Sequence, residues 1–288
     1  MTAIINKELR MYFYTMIGYV CLGFFVLITA LFFLIININY MDPDFSAVLS
    51  SSSLVFLIFI PILTMRMFAE ESKQKTDQLL YTSPLKVSEI VLGKYFAALI
   101  LFLIGMAITA IMPLSIAAFA EGMPAAKIIG AYVGYILLGA CFISIGLFAS
   151  TLTDNQIAAA VVTFALSMFF FILSPIAEAM PSTRPASVVF LALLFLALSY
   201  YIYSITGNIY AGAALALLSA IGIALVFFLG GSLLDGAIAK ILTWFSLVAR
   251  FENFSKGVLN LSDLVYYLTF LSLFVYLTIH VIEKRRWK

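Results

Sequence analysis

Ala97-Ala-Leu-Ile-Leu-Phe-Leu-Ile-Gly-Met-Ala-Ile108 carries no polar side chain and no period-two alternation. A membrane barrel strand must alternate lipid-facing apolar with inward polar side chains, so this run is not one. Read as a helix it belongs to a longer stretch, Ile90–Ala118, that at 1.5 Å of rise per residue covers about 30 Å of hydrocarbon. Similar stretches recur at Ile17–Ile36, Ser52–Phe68, Ile128–Ser150, Ile157–Ser174, Ala186–Ser204, Tyr210–Gly231 and Leu264–Ile282. The chain of 288 residues is 64% hydrophobic and only 10% charged, against roughly 45–50% apolar in soluble domains. An all-α polytopic membrane protein of about eight spans is the expected class.

An even number of crossings puts both termini on one side. Lys7, Arg10, Arg66, Lys73, Lys75, Lys86, Lys94, Lys284, Arg285, Arg286 and Lys288 fall on the N-terminal side of that plan. Only Lys127, Arg184, Lys240, Arg250 and Lys256 fall opposite. The basic excess predicts cytoplasmic termini. The first span, preceded by Lys7 and Arg10, is too long for a signal-peptide core and no small-residue cleavage site follows, so it reads as uncleaved.

The charges gather in one internal segment, Arg66–Lys94, predicted to be a cytoplasmic loop of two short helices. Phe68–Leu80 forms the first, with Glu71 and Lys75 in the favourable i,i+4 order. Ser83 with Pro84 caps the second, which runs into the third span. Residues 1–16 place Ile4, Ile5, Leu9 and Phe13 against Lys7, Glu8 and Arg10, an interfacial helix with its charges in water. Thr151–Gln156 is a tight inner connection in which Thr153 or Asp154 caps the next helix. Ser174–Pro185 reads as an outer turn. Residues 232–261 repeat Leu234, Ile238, Ile241, Leu242, Phe245 and Val248 at helical spacing, an outer amphipathic or re-entrant element. Ser262 or Asp263 then caps the last span. Gly130, Gly134 and Gly139 suit close helix approach.

Several function classes fall away. A net charge of +2 gives no basis for nucleic-acid binding. Cys21 and Cys141 stand alone in apolar runs, and His280 is the sole histidine; no set has metal-ligand spacing or pairs a nucleophile with a base. Gly93-Lys94 lacks the rest of a phosphate-cradling loop, since Ser88 and Tyr95 occupy the positions that need glycine and a hydroxyl residue. The spans hold almost no ionisable groups of the kind ion-coupled carriers use. No catalytic residue, metal or cofactor is assigned to this chain.

Four segments, in order and from end to end, resemble the membrane permease subunit of type-2 ATP-binding-cassette (ABC) exporters, in the branch of gliding-motility and nitrous-oxide-reductase-maturation permeases. They are Lys7-Glu-Leu-Arg10 with Tyr12-Phe13 and Gly18-Tyr19-Val20; Glu70-Glu71 through Thr76, Leu79-Leu80, Ser83-Pro84 and Glu89 to Gly93-Lys94; Ala149 to Gln156; and Phe251-Glu-Asn-Phe254, Lys256-Gly257, Leu261 to Asp263, Tyr266-Tyr267 and Glu283-Lys-Arg-Arg286. The family plan has six spans; residues 186–231 would be an inserted hairpin. The resemblance implies a half-transporter in a prokaryotic plasma membrane, pairing with a second permease chain. It also implies separate cytoplasmic ATPase subunits that carry ATP and Mg. Their contact would be Arg66, Glu70, Glu71, Lys73, Lys75, Thr76, Gln78, Leu79, Leu80, Ser83 and Pro84, led by Glu70 and Glu71. Thr151, Thr153, Asp154, Asn155 and Gln156 would add a second contact. An aromatic lining from Phe24, Phe25, Phe32, Phe33 and Phe169-Phe170-Phe171 would favour amphipathic cargo such as a peptide, lipid-like molecule or drug. The competing readings are a membrane anchor of a mechanical, assembly or sensory ABC complex, and a carrier that needs no ATPase.

Overall fold

The computed structural model describes residues 1–76, 85–119, 122–180, 183–207, 210, 217–218 and 236–286. These contain seven helices long and apolar enough to cross a membrane: Ile17–Asn39, Ser46–Gln74, Val87–Ala118, Ala125–Thr151, Gln156–Ala179, Ser187–Ile205 and Leu261–Arg285. Each overlaps an expected span; the second is longer than expected by six residues at each end and the fifth by five at its C-terminal end. The remaining expected span, Tyr210–Gly231, lies outside the described residues apart from Tyr210, Leu217 and Leu218, as do Leu233, Leu234, Asp235, Trp287 and Lys288.

The helices are α1 (Thr2–Tyr14), α2 (Ile17–Phe33), α3 (Ser46–Ser52), α4 (Phe56–Thr64), α5 (Ala69–Gln74), α6 (Val87–Thr109), α7 (Ile111–Phe119), α8 (Ala125–Thr151), α9 (Gln156–Ala179), α10 (Arg184–Thr206), α11 (Ala237–Phe245), α12 (Leu247–Ser255) and α13 (Leu261–Arg286). They fall into two compact units, residues 1–170 with 247–288, and residues 171–246. In the second unit, α11 packs on α10.

Helix α8 is the axis of the first unit, in contact with α3, α4, α6, α12 and α13. Such close company requires small residues on its surface. A Cβ on Gly134 would sit 2.4 Å from Cβ of Phe254, and one on Gly139 would sit 2.5 Å from the Phe102 ring. Around it Phe25, Phe56, Phe59, Phe102, Tyr135, Phe142 and Phe251 bury an aromatic cluster, with the Phe56 and Tyr135 centroids 4.6 Å apart. Edge-on and tilted pairs of this kind add about 0.5–1.5 kcal/mol beyond area burial. Phe25 is therefore a packing residue and lines no pathway within this unit. Phe169 is exposed, while Phe170 packs edge-on against Phe270 of α13 at 5.1 Å.

Proline accounts for two irregularities. Pro113 cannot donate to the Thr109 carbonyl, and α6 gives way to α7 at Ala110. Pro175, expected to open an outer turn, sits inside α9, which continues to Ala179. A proline costs one hydrogen bond but does not force termination when the flanking residues keep helical packing.

Three other expectations need correction. Residues 232–261 do not hold one amphipathic helix: α11 and α12 are separated by Ser246 in an extended conformation. The second helix of the inner loop begins at Val87, where the Glu89 carboxylate accepts the Lys86 backbone N–H at 3.2 Å; the expected cap Ser83-Pro84 lies outside the described residues. Asn155 caps α9 in place of Thr153 or Asp154, accepting the Ile157 N–H at 2.9 Å.

At the end of the first unit remote from α1, three polar contacts hold the helix ends. Asp263 accepts from Arg250 and Asn253, each at 2.8 Å, and so fastens α13 to α12 instead of capping α13. Ser50 meets Ser255 at 2.8 Å. Lys127 pairs with Asp44, whose carboxyl also accepts the Ser46 N–H. Partial burial pushes the Asp44 carboxyl up, but these bonds and the lysine charge outweigh it and hold it below the usual carboxylate value.

Gly134→Ala should lower the thermal midpoint of the purified protein by an amount equivalent to about 1–3 kcal/mol, the usual cost of overpacking. Lys127→Ala should destabilise at neutral pH. Because the Asp44 value is depressed on folding, that difference is full above about pH 4 and fades as pH falls through the folded value, which parallel melts of both proteins would read.

Candidate functional site

The polar end of the first unit is built around a lysine that has no access to water. Lys94 lies in the second turn of α6 with a fully buried side chain (0% exposed). An ammonium there is tolerable only if its donors are used and its charge is matched. Its Nζ donates to Glu8 of α1 at 2.7 Å and to the Met67 carbonyl at 2.6 Å, and lies 3.0 Å from Glu71 of α5. It also stands 5.1 Å over the Phe68 ring. Lys7 closes the group, donating to Glu71 at 2.7 Å. Two ammoniums thus meet two carboxylates, and the cluster is neutral. Partial burial pushes the Lys7 ammonium down, but its hydrogen bond to Glu71 and the charges of Glu71 and Glu8 outweigh that and raise it above the ordinary lysine value.

The backbone explains why the cluster sits here. Between α4 and α5 the chain turns at residues 65–68, so Met67 N–H bonds to Thr64 and the Leu63 carbonyl loses its helical partner. Tyr12 of α1 donates its hydroxyl to Leu63 O at 2.9 Å, and Lys94 takes Met67 O. The break in the second span is therefore stitched by side chains from α1 and α6. Helix α1 presents Ile4, Glu8 and Tyr12, spaced four apart, as its buried face. This overturns the reading of Glu8 as a solvated charge: it is 1% exposed. Gly93 lets α1 come close, since a Cβ there would lie 2.9 Å from Ile4.

The candidate contact residues separate into two groups. Arg66 and Glu70 form a two-pronged pair at 2.5 and 2.8 Å, with Gln74 also reaching Glu70 at 3.4 Å. Glu71 is turned inward to Lys94 and Lys7, so the expected Glu71–Lys75 pair is not formed; α5 ends at Gln74, and Lys75 takes a left-handed conformation (φ 57°). Lys73, Gln74, Lys75 and Thr76 are exposed. Gln78, Leu79, Leu80, Ser83 and Pro84 lie outside the described residues.

The second candidate segment comes to the same place. Ser72 donates to Asp154 at 2.5 Å, and Arg285 near the end of α13 lies 3.4 Å from both. Thr151 is buried, bonding back to Phe148 O at 2.6 Å, whereas Asp154 and Asn155 are exposed. Sequence reasoning missed Glu8, Ser72, Lys94 and Arg285 as members of this site. A four-residue spacing between Ile4, Glu8 and Tyr12 was the available signal for Glu8. Lys94 could have been suspected as a charge one turn inside an apolar helix.

The arrangement is that of a multi-pass membrane protein with an interlocked polar end, in which no nucleophile–base pair is assembled among the described residues. Residues 39–186 match the family model described as ABC-2 family transporter protein, and this stretch is a little over half of the chain. The chain belongs to that family and is a membrane, permease component of an ABC transporter; such domains are not themselves catalytic, and membership implies association with ABC ATPase subunits. The matched stretch contains both candidate contact segments. No curated protein matches the chain.

Lys94→Met should leave Glu8 and Glu71 with Lys7 as their one remaining counter-ion and the buried Glu8 without its 2.7 Å partner. A loss of about 3–5 kcal/mol is expected, the range for removing one partner of a buried pair. The double variant Glu8→Met/Lys94→Met should be less damaged than either single change, as a double-mutant cycle on thermal midpoints would show.

Proposed function

We propose that the interlocked polar end receives force from a cytoplasmic ATPase and that the protein is one half of an exporter for amphipathic molecules. The single observation that supports this reading is the Ser72–Asp154–Arg285 contact. It joins the two segments that the family resemblance assigns to the ATPase, and it does so at the ends of four spans. Lys73, Lys75 and Thr76 with Asp154 and Asn155 form the exposed docking surface. Arg66, Glu70 and Glu71 brace it from within, and the resemblance extends the docking segment through Gln78, Leu79, Leu80, Ser83 and Pro84.

Closure of the ATPase subunits on ATP and Mg would press on α5. Glu71 hands that push to α6 through Lys94 and to α1 through Lys7. Ser72 hands it to the α8–α9 turn through Asp154. Because the Lys94–Glu8 pair is fully buried, it resists separation far better than surface pairs, which contribute only about 0–1 kcal/mol. A second permease chain completes the pathway, the termini face the cytoplasm of a prokaryotic cell, and eight spans follow the six-span plan with residues 186–231 inserted. The branch is that of the gliding-motility and nitrous-oxide-reductase-maturation permeases.

Lys73→Glu/Lys75→Glu should reduce co-purification with the co-expressed ATPase subunit by at least about tenfold while leaving the permease's thermal midpoint within about 0.5 kcal/mol of wild type, as exposed substitutions do. Full co-purification of that variant would remove the docking assignment. Loss of ATP-driven uptake of a fluorescent amphiphile into inverted vesicles, with insertion unchanged, would support the export assignment; undiminished uptake would oppose it.

A further inference from the structure

The polar end of the first unit sorts its charges by sign. Its carboxylates are largely answered by cations of the same chain: Glu8 by Lys94, Glu71 by Lys94 and Lys7, Glu70 by Arg66, and Asp154 by Arg285. What remains unpaired among the described residues is mostly positive. Arg10, Lys73, Lys75, Lys86 and Lys284 are exposed and form no ion pair, against half-buried Glu89 and exposed Glu283. Glu89 is in part occupied by the Lys86 backbone N–H. Asp77 lies outside the described residues.

The imbalance has a local cause on α5. The carboxylate one turn before Lys75 is Glu71, and it faces Lys94 and Lys7 inside. The one nearest Lys73 on the helix is Glu70, held by both prongs of Arg66. Both lysines are therefore left without an intrahelical partner, and exposed charge of one sign repels itself. A surface of this kind is complete only when an opposite charge is brought to it.

Anionic lipid headgroups carry that charge, but they ring the bundle. Helix α5 is enclosed by its neighbours: Glu71 reaches α1 and α6, and Ser72 reaches Asp154 of the α8–α9 turn and lies 3.4 Å from Arg285 of α13. The outward lysines of α5 thus point off the end of the bundle and away from its lipid-facing rim. Lys284, next to Arg285 in the chain, stands at the same junction.

We infer that the ATPase subunit meets this surface with an acidic groove, and that Lys73, Lys75 and Lys284 steer the encounter. The inference rests on the docking surface proposed above and adds the sign of the partner's charge. Exposed complementary charges act chiefly on the rate of association, and salt screens them.

The test uses the full-length permease in nanodiscs of phosphatidylcholine, a lipid without net charge, and the co-expressed ATPase subunit, with binding followed by biolayer interferometry. Lys73→Gln/Lys75→Gln should associate about fivefold more slowly than wild type at about 0.05 M salt, with the difference gone near about 0.5 M and dissociation unchanged. Lys73→Arg/Lys75→Arg should restore the rate. Equal rates for the glutamine variant and wild type, or a wild-type rate that does not fall with salt, would overturn the inference. Thr76→Cys coupled to a polyethylene glycol maleimide tells this failure from failure of the docking surface, since Cys21 and Cys141 are buried. A label that blocks association while the glutamine variant binds normally keeps the docking surface and removes the acidic groove. A label that leaves association intact removes both. Slower association confined to discs containing phosphatidylglycerol would assign the lysines to headgroups and likewise overturn the inference.

Discussion

The architecture of the polar end depends on one charge that cannot reach water. Lys94 belongs to α6 by sequence, yet its ammonium is satisfied by Glu8 from α1, Glu71 from α5 and a carbonyl from the break before α5. Each of those partners fixes an element that hydrophobic burial alone would leave free to slide. Apolar faces are nondirectional, and in a bilayer they gain little by leaving lipid for another helix. The ion cluster supplies direction: α1 is held by its Glu8 and Tyr12 stripe, and α5 is held by Glu71.

Opposite kinds of interaction occupy different depths of the first unit. Its middle is aromatic and close-packed, with α8 thinned by glycines so that Phe254, Phe102 and Thr64 come close. Both ends are polar and hydrogen-bonded, by Lys94, Asp154 and Arg285 at one and Asp263, Arg250 and the Asp44–Lys127 pair at the other. A dense middle between two locked ends moves as a body more readily than it deforms. That suits a part driven by displacement from one end.

The spans were legible because length and apolarity alone identify a crossing helix, although the ends of the second lie six residues beyond expectation on each side. What could not be read was where charge goes when helices pack. Glu8 was assigned to water because an isolated amphipathic helix keeps its charges wet; Lys94, eighty-six residues away, changes that. Asp154 was expected to cap α9 for its residue type, but Ser72 and Arg285 claim its carboxylate and Asn155 caps in its place. Pro175 shows the reverse error. Its local tendency to break a helix was real, and the surrounding helix overrode it. The charge density of Arg66–Lys94 was legible, but not that Arg66, Glu70, Glu71 and Lys94 spend their charge on ion pairs within the unit.

Glu71 shows why cohesion and coupling belong together. A residue that met the ATPase directly could not also be a dry partner of Lys94, because an exposed carboxylate would hydrate and release the lysine. Placing Glu71 inward and Lys73, Lys75 and Thr76 outward on one short helix divides the work by helical face. The outward face can then vary with the partner, while the inward face must keep its charge and reach. A push delivered to that helix has a stiff route to α6 through a 3.0 Å ion pair and no solvent layer in which to dissipate. The left-handed turn at Lys75 ends α5 four residues after Glu71, so on the proposed reading little chain separates the outward Lys73 and Lys75 from the pair that would carry a push inward.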